Sequence, residues 1–182
     1  MKTTKQLHLF LFFILFFSSS FAQTFPMDFC TGTWRYINNV ESKEFFVTFK
    51  QDIFHIPEGF GGGTEKCLVG AYIFKESGTT KLDCMNMLSN NYSDIHKYPI
   101  YCLFIDTNTL SFCIADYGKK NGCGDGKKLG GGMVTIISRS PAKIKIDIKE
   151  SEGVHVINDN NEIFPSGTTF PSEMILTKVT EL

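Results

Sequence analysis

Residues 143–149 read KIKIDIK, and this heptapeptide decides the fold class. An isoleucine at every second position alternates with a charged side chain, which is the pattern of a strand with one buried and one solvated face. The same alternation recurs at Phe45, Val47 and Phe49. Because strands of this kind pair antiparallel in sandwiches and barrels, the pattern predicts an all-β protein.

Short apolar stretches separated by turn residues fill most of the remaining chain. They are Thr33–Asn38, Ile53–Ile56, Cys67–Phe74, Thr79–Cys84, Tyr101–Ile105, Leu110–Ile114, Met133–Ser138, Val154–Val156 and Glu173–Val179. No segment has a clear helical pattern, and Leu82–Tyr92 is ambiguous between a helix and a loop. About ten short strands without intervening helices predict one antiparallel domain, either a sandwich or a barrel.

The N-terminus has the layout of a cleavable secretory signal. Two lysines and no acid precede the apolar run Leu9–Phe17, and small residues follow it up to Ala22. This run is well short of the about 20 residues that span a bilayer, so we expect no membrane span. The sequence therefore predicts a signal over residues 1–22, a single β-domain over residues 23–182, and export to the periplasm or the exterior.

All six cysteines follow the expected signal, and an even number in an exported chain favours disulfides. One pair can be argued from a hairpin. If the turn is centred between Thr107 and Asn108, Cys102 faces Cys113 at a separation within disulfide reach. Two buried free thiols are the alternative.

Charge and motifs exclude several function classes. The formal net charge is −1 and no broad basic surface is evident, so we do not expect nucleic-acid binding. The sequence contains no GxSxG, HExxH or CxxC motif, and its histidines are scattered singly. The glycine-rich segments 58–64 and 118–132 lack the spacing of a phosphate-binding loop. We therefore predict no enzymatic activity, no metal and no cofactor.

Gly32-Thr33-Trp34 is the most specific motif, and it resembles the G-x-W signature that opens lipocalins and related barrels. The resemblance implies an up-and-down barrel of about eight to ten strands in which Trp34 closes one end. It also implies that a late arginine packs across the indole, and Arg139 is the candidate. Gly32, Trp34 and Arg139 are thus expected to be structural. Residues 115–117 loosely resemble a second lipocalin motif.

A broader resemblance covers most of the domain. It is carried by GTWRYINN (32–39), LVGAY (68–72), GGMVTI (131–136), KIKIDIKESEGV (143–154) and FPSEMILTKV (170–179). These stretches resemble an uncharacterised family of small exported bacterial proteins. The resemblance implies an exported β-domain and brings no catalytic residues.

The functional expectation is a non-enzymatic, lipocalin-like binding protein, expected to be a monomer, for an unknown small hydrophobic ligand. The candidate barrel lining is Phe45, Val47, Phe49, Ile73, Phe104, Phe112, Ile144 and Ile146. These side chains either surround a cavity or fill a solid core, with the filled interior slightly preferred. The alternative function is a scaffold that binds an envelope protein and has no small-molecule ligand.

Overall fold

The computed structural model describes residues 26–56, 58–60, 62–117, 128–149 and 169–179. Its nine strands are β1 (Gly32–Asn38), β2 (Lys43–Ile56), β3 (Gly63–Glu76), β4 (Thr79–Asp83), β5 (Ile100–Phe104), β6 (Thr109–Asp116), β7 (Lys128–Arg139), β8 (Ala142–Lys149) and β9 (Glu173–Val179). A five-residue helix, α1 (Pro26–Cys30), precedes β1. Three 3-10 turns lie in the connections, at Glu58–Phe60, Met85–Ser89 and Ile95–Lys97.

Eight of the strands form a closed antiparallel ring. Each strand pairs with its neighbour along the chain, and β9 pairs with β1 to complete the barrel. The exception is β4, which pairs with one end of β3 outside the ring. The predicted all-β up-and-down barrel is therefore confirmed, with one additional strand.

Among the described residues, the predicted strands agree with the structure with one exception. Ile53–Ile56 is the second half of β2 rather than a separate strand. Val154–Val156 lies outside the described residues, as do the expected signal at residues 1–22 and Cys123. The ambiguous Leu82–Tyr92 segment contains a 3-10 turn rather than an α-helix.

The longest hairpin, β2–β3, extends past one end of the ring. Its register runs from Lys43 opposite Glu76 to Ile56 opposite Gly63. The pairing of β2 with β1 ends where Phe49 faces Gly32, so the later residues of β2 have only β3 beside them. We call residues 50–56 and 63–67 the β2–β3 ribbon.

Helix α1 lies at the same end of the barrel as the ribbon, and we call this end the mouth. Five residues are too few to show a helical period or to be stable alone, which explains why sequence patterns did not reveal the helix. Tertiary contacts instead hold it, because Pro26, Met27 and Cys30 are buried. The opposite end of the barrel carries the β1–β2 and β3–β4 turns and residues 169–172.

Candidate functional site

Helix α1 is fixed across the mouth by two side chains from the barrel wall. The indole Nε1 of the fully buried Trp34 donates a hydrogen bond to the Cys30 carbonyl at 2.6 Å. The Lys178 ammonium donates to the Phe29 carbonyl at 2.8 Å. The last carbonyls of a helix have no partner within the helix, so these two bonds satisfy groups that burial would otherwise penalise.

Cations and aromatic rings also pack around the contact between α1 and Trp34, which we call the closure. The Phe29 and Trp34 ring centroids lie 5.6 Å apart. The Arg139 guanidinium lies 5.0 Å from the centroid of Phe29, and the Lys178 ammonium lies 5.3 Å from that of Trp34. The resemblance to lipocalins implied that Arg139 covers Trp34, whereas here Lys178 does so. The difference arises because α1, which the sequence patterns missed, supplies a second ring beneath the arginine.

A pocket of about 460 Å³ opens at the mouth, between α1 and the β2–β3 ribbon. Its described lining residues are Met27, Asp28, Gln51, Glu65, Lys66 and Phe104. The volume lies within the range of about 300–1,000 Å³ that is typical of small-molecule sites. Met27 is nearly buried and forms an apolar wall, while Phe104 remains 51% exposed at the end of β5.

The pocket exists because the ribbon extends the barrel wall beyond the point where the ring closes. Gln51, Ile53 and His55 continue the two-residue period of the buried β2 residues, yet all three are exposed. Large apolar groups at a concave mouth are a recognised sign of a binding surface.

Polar groups occupy one side of the pocket. The Gln51 side-chain amide donates to the Asp28 carboxylate at 2.5 Å, which connects α1 to the ribbon. On the adjacent strand β3, Lys66 is exposed and pairs with Ile53 on the pocket side, whereas Glu65 pairs with Phe54 on the outer face. The pocket thus combines an apolar wall with a small number of charged groups, as orientation-specific sites do.

Six of the eight predicted lining residues belong to the main cluster of buried core residues. They are Phe45, Val47, Phe49, Phe112, Ile144 and Ile146. Phe45 stacks on Tyr72 with centroids 5.5 Å apart, and Phe170 contacts both rings at 5.5 and 5.1 Å. These rings contact each other directly, which favours the solid-core alternative in this part of the barrel.

The other two predicted lining residues lie elsewhere. Ile73 follows Tyr72 and precedes Phe74, both of which belong to the core, so strand alternation places Ile73 on the outer face of β3. That prediction was wrong, because residues 67–72 are buried without interruption and no alternation showed which side is inside. Phe104 lies on the predicted strand but lines the pocket at the mouth.

The predicted Cys102–Cys113 disulfide is also wrong. In the structure Cys102 faces Phe112, and Cys113 faces Tyr101. The β5–β6 turn is centred on Thr107, with an odd number of residues between the paired ends, so the register is shifted by one position. A shift of one residue moves a side chain to the other face of the sheet, which separates the two sulfur atoms.

The described cysteines, Cys30, Cys67, Cys84, Cys102 and Cys113, are free thiols. Burial raises the pKa of Cys30 to about 12 and that of Cys67 to about 11, because desolvation penalises the thiolate. Burial also raises the pKa of Cys102 well above its usual value. Thiols held in the neutral form are poor nucleophiles, so their environment is that of structural cysteines.

The opposite end of the barrel holds a buried polar network. Asp116, only 1% exposed, accepts a hydrogen bond from the Thr169 amide at 2.6 Å. The Tyr72 hydroxyl donates to the Ala115 carbonyl at 2.7 Å and accepts from the Tyr117 amide at 3.3 Å. Burial raises the pKa of Tyr72 far above its usual value. The residues 115–117 of the second motif therefore connect β6 to the core and to residue 169.

A family model described as a family of unknown function, DUF6705, matches residues 1–179. The chain belongs to this family. Searches among curated proteins and among solved structures returned no match. The DUF6705 chain is thus placed by its family and its closed barrel.

Two further observations concern the described part of the DUF6705 chain. Its helices are all too short and insufficiently apolar to cross a bilayer. Within the same residues, no group of three or more His, Cys, Asp or Glu side chains is arranged to hold a metal ion.

Sequence reasoning missed most of the pocket. Of its described lining, only Phe104 was a candidate, and Met27, Asp28, Gln51, Glu65 and Lys66 were not. One usable signal was present, since Gln51 continues the inward-facing positions of β2. The helix that supplies Met27 and Asp28 had no such signal.

Proposed function

We propose that this protein is an exported, non-enzymatic binding protein that takes a small ligand with an apolar body at the mouth of its barrel. The observation that carries the proposal is the 460 Å³ pocket beside α1, which is lined by the half-exposed Phe104 and the apolar Met27. The aromatic core behind this pocket directs the ligand to the mouth rather than to the interior. The signal-like N-terminus at residues 1–22 supports export.

The absence of a recognisable catalytic motif in the sequence supports binding without chemistry. The buried cysteines support the same view, because their raised pKa values disfavour the thiolate that nucleophilic catalysis requires. A pocket of this size and composition needs no reaction to be useful, since apolar contact and a few polar groups suffice for recognition.

The test is a titration of purified protein with the neutral apolar fluorophore N-phenyl-1-naphthylamine. We expect saturable binding with one site per chain. Phe104→Ala removes the half-exposed ring, which is worth about 1 kcal/mol of apolar contact, and should weaken binding about fivefold. Ile175→Ala is the matched control, because Ile175 is 50% exposed on the outer face of β9.

Binding that is absent, or that falls equally in both variants, would contradict the proposal. The first result would favour the scaffold alternative, in which the solid core serves only to present outer surfaces to an envelope protein. One observation favours that second function, namely the packing of Phe45, Tyr72 and Phe170 inside the barrel. Capture of a specific envelope protein by the Phe104→Ala variant as well as by the parent would support it.

A further inference from the structure

The pocket side of the mouth carries one carboxylate and one ammonium group. Asp28 supplies the carboxylate and Lys66 the ammonium group, and both side chains are exposed. Glu65 borders the pocket but pairs with Phe54 on the outer face of the ribbon. The two charges on the pocket side remain separate groups, because the ion pairs among the described residues do not join Asp28 to Lys66.

The β2–β3 register places these two charges near each other. The Asp28 carboxylate accepts a hydrogen bond from the Gln51 side-chain amide at 2.5 Å, so its position is tied to that of Gln51. Gln51 pairs with Leu68, and Lys66 lies two residues before Leu68 on the same face of β3. Diagonal neighbours of this kind lie about 7–8 Å apart, which is within reach of long side chains. A carboxylate and an ammonium group are thus presented together on one side of the pocket.

The other cations at this end of the barrel do not point into the pocket. Arg139 lies over the Phe29 ring, and Lys178 donates to the Phe29 carbonyl, so both belong to the closure. Lys143 directly precedes the buried Ile144, and strand alternation therefore places it on the outer face of β8. The ammonium group that faces the pocket is consequently that of Lys66.

The remaining acidic groups near the mouth also lie outside the pocket. Asp52 is on the outer face of the ribbon, where it accepts a hydrogen bond from the Tyr98 hydroxyl at 2.9 Å. Glu58 and Asp106 are exposed in the turns and do not belong to the described lining. The pocket therefore presents a balanced pair of opposite charges beside an apolar wall, and this arrangement is complementary to a dipolar ligand.

We propose that the ligand of this pocket is a free amino acid with a large apolar side chain. This inference rests on the proposed function and specifies its ligand class. The α-ammonium group faces Asp28, the α-carboxylate faces Lys66, and the apolar side chain contacts Met27 and Phe104. A zwitterion interacts with both charges of the pocket at once, whereas a simple amine or a simple carboxylate interacts favourably with one and is repelled by the other.

Four compounds with a phenyl body separate the two charges. We would titrate ¹⁵N-labelled protein at neutral pH with L-phenylalanine, 2-phenylethylamine, 3-phenylpropanoate and 3-phenylpropanol, and follow the amide resonances of Gln51, Lys66 and Phe104. The second compound lacks the carboxylate, the third lacks the ammonium group, and the fourth lacks both charges. We expect phenylalanine to bind about two- to fivefold more tightly than either singly charged compound, which is the range of one exposed ion pair.

Two charge-neutralising variants assign the contacts. Lys66→Gln should weaken phenylalanine and 3-phenylpropanoate about two- to fivefold without weakening 2-phenylethylamine. Asp28→Asn should weaken phenylalanine and 2-phenylethylamine by a similar factor without weakening 3-phenylpropanoate. Its side-chain oxygen still accepts the hydrogen bond from Gln51, so the attachment of α1 is retained. Lys81→Gln is the matched control, because Lys81 is exposed on β4 outside the ring, and this variant should bind all four compounds as the parent does.

The possible failures are distinguishable. If phenylalanine binds no more tightly than the singly charged compounds, or if Lys66→Gln weakens all four equally, the inference about the amino acid is overturned and the binding function remains. If no compound perturbs Gln51, Lys66 or Phe104 while N-phenyl-1-naphthylamine still binds, the inference again fails alone. If the fluorophore does not bind either, the proposed function fails together with the inference.

Discussion

The odd-numbered side chains of strand β2 all lie on one face of the sheet, but they are buried in its first half and exposed in its second half. Phe45, Val47 and Phe49 are at most 1% exposed, whereas Ile53, at the same strand parity, is 57% exposed. The change occurs after Phe49, which pairs with Gly32, the first residue of β1; beyond it β2 continues with β3 alone. The comparison teaches that this barrel gains its concave surface by extending one wall beyond a packed core, rather than by emptying the core.

Replacing the same residue type in the two regions should give the sharpest contrast. Phe45→Ala removes a fully buried ring that contacts Tyr72 and Phe170, and should cost about 3–5 kcal/mol of unfolding free energy. Phe104→Ala should cost only about 1 kcal/mol, because half of that ring is already in water. Urea denaturation followed by circular dichroism measures both. Equal losses would refute the division into a core and a mouth.

Added volume tests how tightly the interior is filled. A Cβ atom at Gly132 would collide with the Asp147 carbonyl oxygen and lie 2.7 Å from the Phe112 ring. Gly132→Ala should therefore destabilise the protein by about 1–3 kcal/mol. The neighbouring Gly131→Ala is the control, since its Cβ would approach only the Phe112 carbonyl oxygen at 3.8 Å. Thermal unfolding of both variants decides whether the barrel has spare room, and an unchanged Gly132→Ala would indicate that it has.

The attachment of α1 can be weakened without altering the core. Lys178→Met keeps the length of the side chain but removes the hydrogen bond to the Phe29 carbonyl and the cation over Trp34. We expect a loss of about 1–2 kcal/mol. We also expect faster hydrogen exchange at the Trp34 indole, because its bond to Cys30 depends on the position of α1. Unchanged exchange would show that Lys178 does not position the helix.

Alkaline pH should destabilise the closure through Cys30. Its folded pKa, about 12, is above the value of 9.0 for the unfolded thiol, so the neutral form contributes stability that is fully present below pH 9 and lost as the pH rises toward 12. The expected contribution to the loss is about 1.4 kcal/mol per pH unit above 9. The free energy of unfolding should differ less between pH 8 and pH 10 in Cys30→Ala than in the parent. Equal differences in the two proteins would exclude Cys30 as a source of the pH dependence of stability.

The strands could be predicted from the sequence because a strand with one buried face shows alternating hydrophobic and polar residues. KIKIDIK at 143–149 became β8, and the alternation at Phe45, Val47 and Phe49 marked the inner face of β2 correctly. The prediction of the inward face failed where this alternation is absent. Both faces of β3 are buried over residues 67–72, so the outward position of Ile73 could not be recognised.

Register and closure depended on information that local patterns do not carry. The pairing of Cys102 with Phe112 instead of Cys113 follows from one residue in the β5–β6 turn. The position of α1 follows from contacts with Trp34 and Lys178, which are distant from one another in the chain.

The sequence by itself determined an all-β chain and the position of most strands, because period-two hydrophobicity is a local property, while the closing role of Trp34 was implied by the resemblance of its motif to lipocalins. Only the tertiary structure decided which strands close the ring, that six of the predicted lining residues belong to the buried core cluster, and that a pocket lies at the mouth. The physical reason is that a pocket is the space left between elements. Here it depends on how far β2 and β3 extend beyond the ring and on where α1 docks.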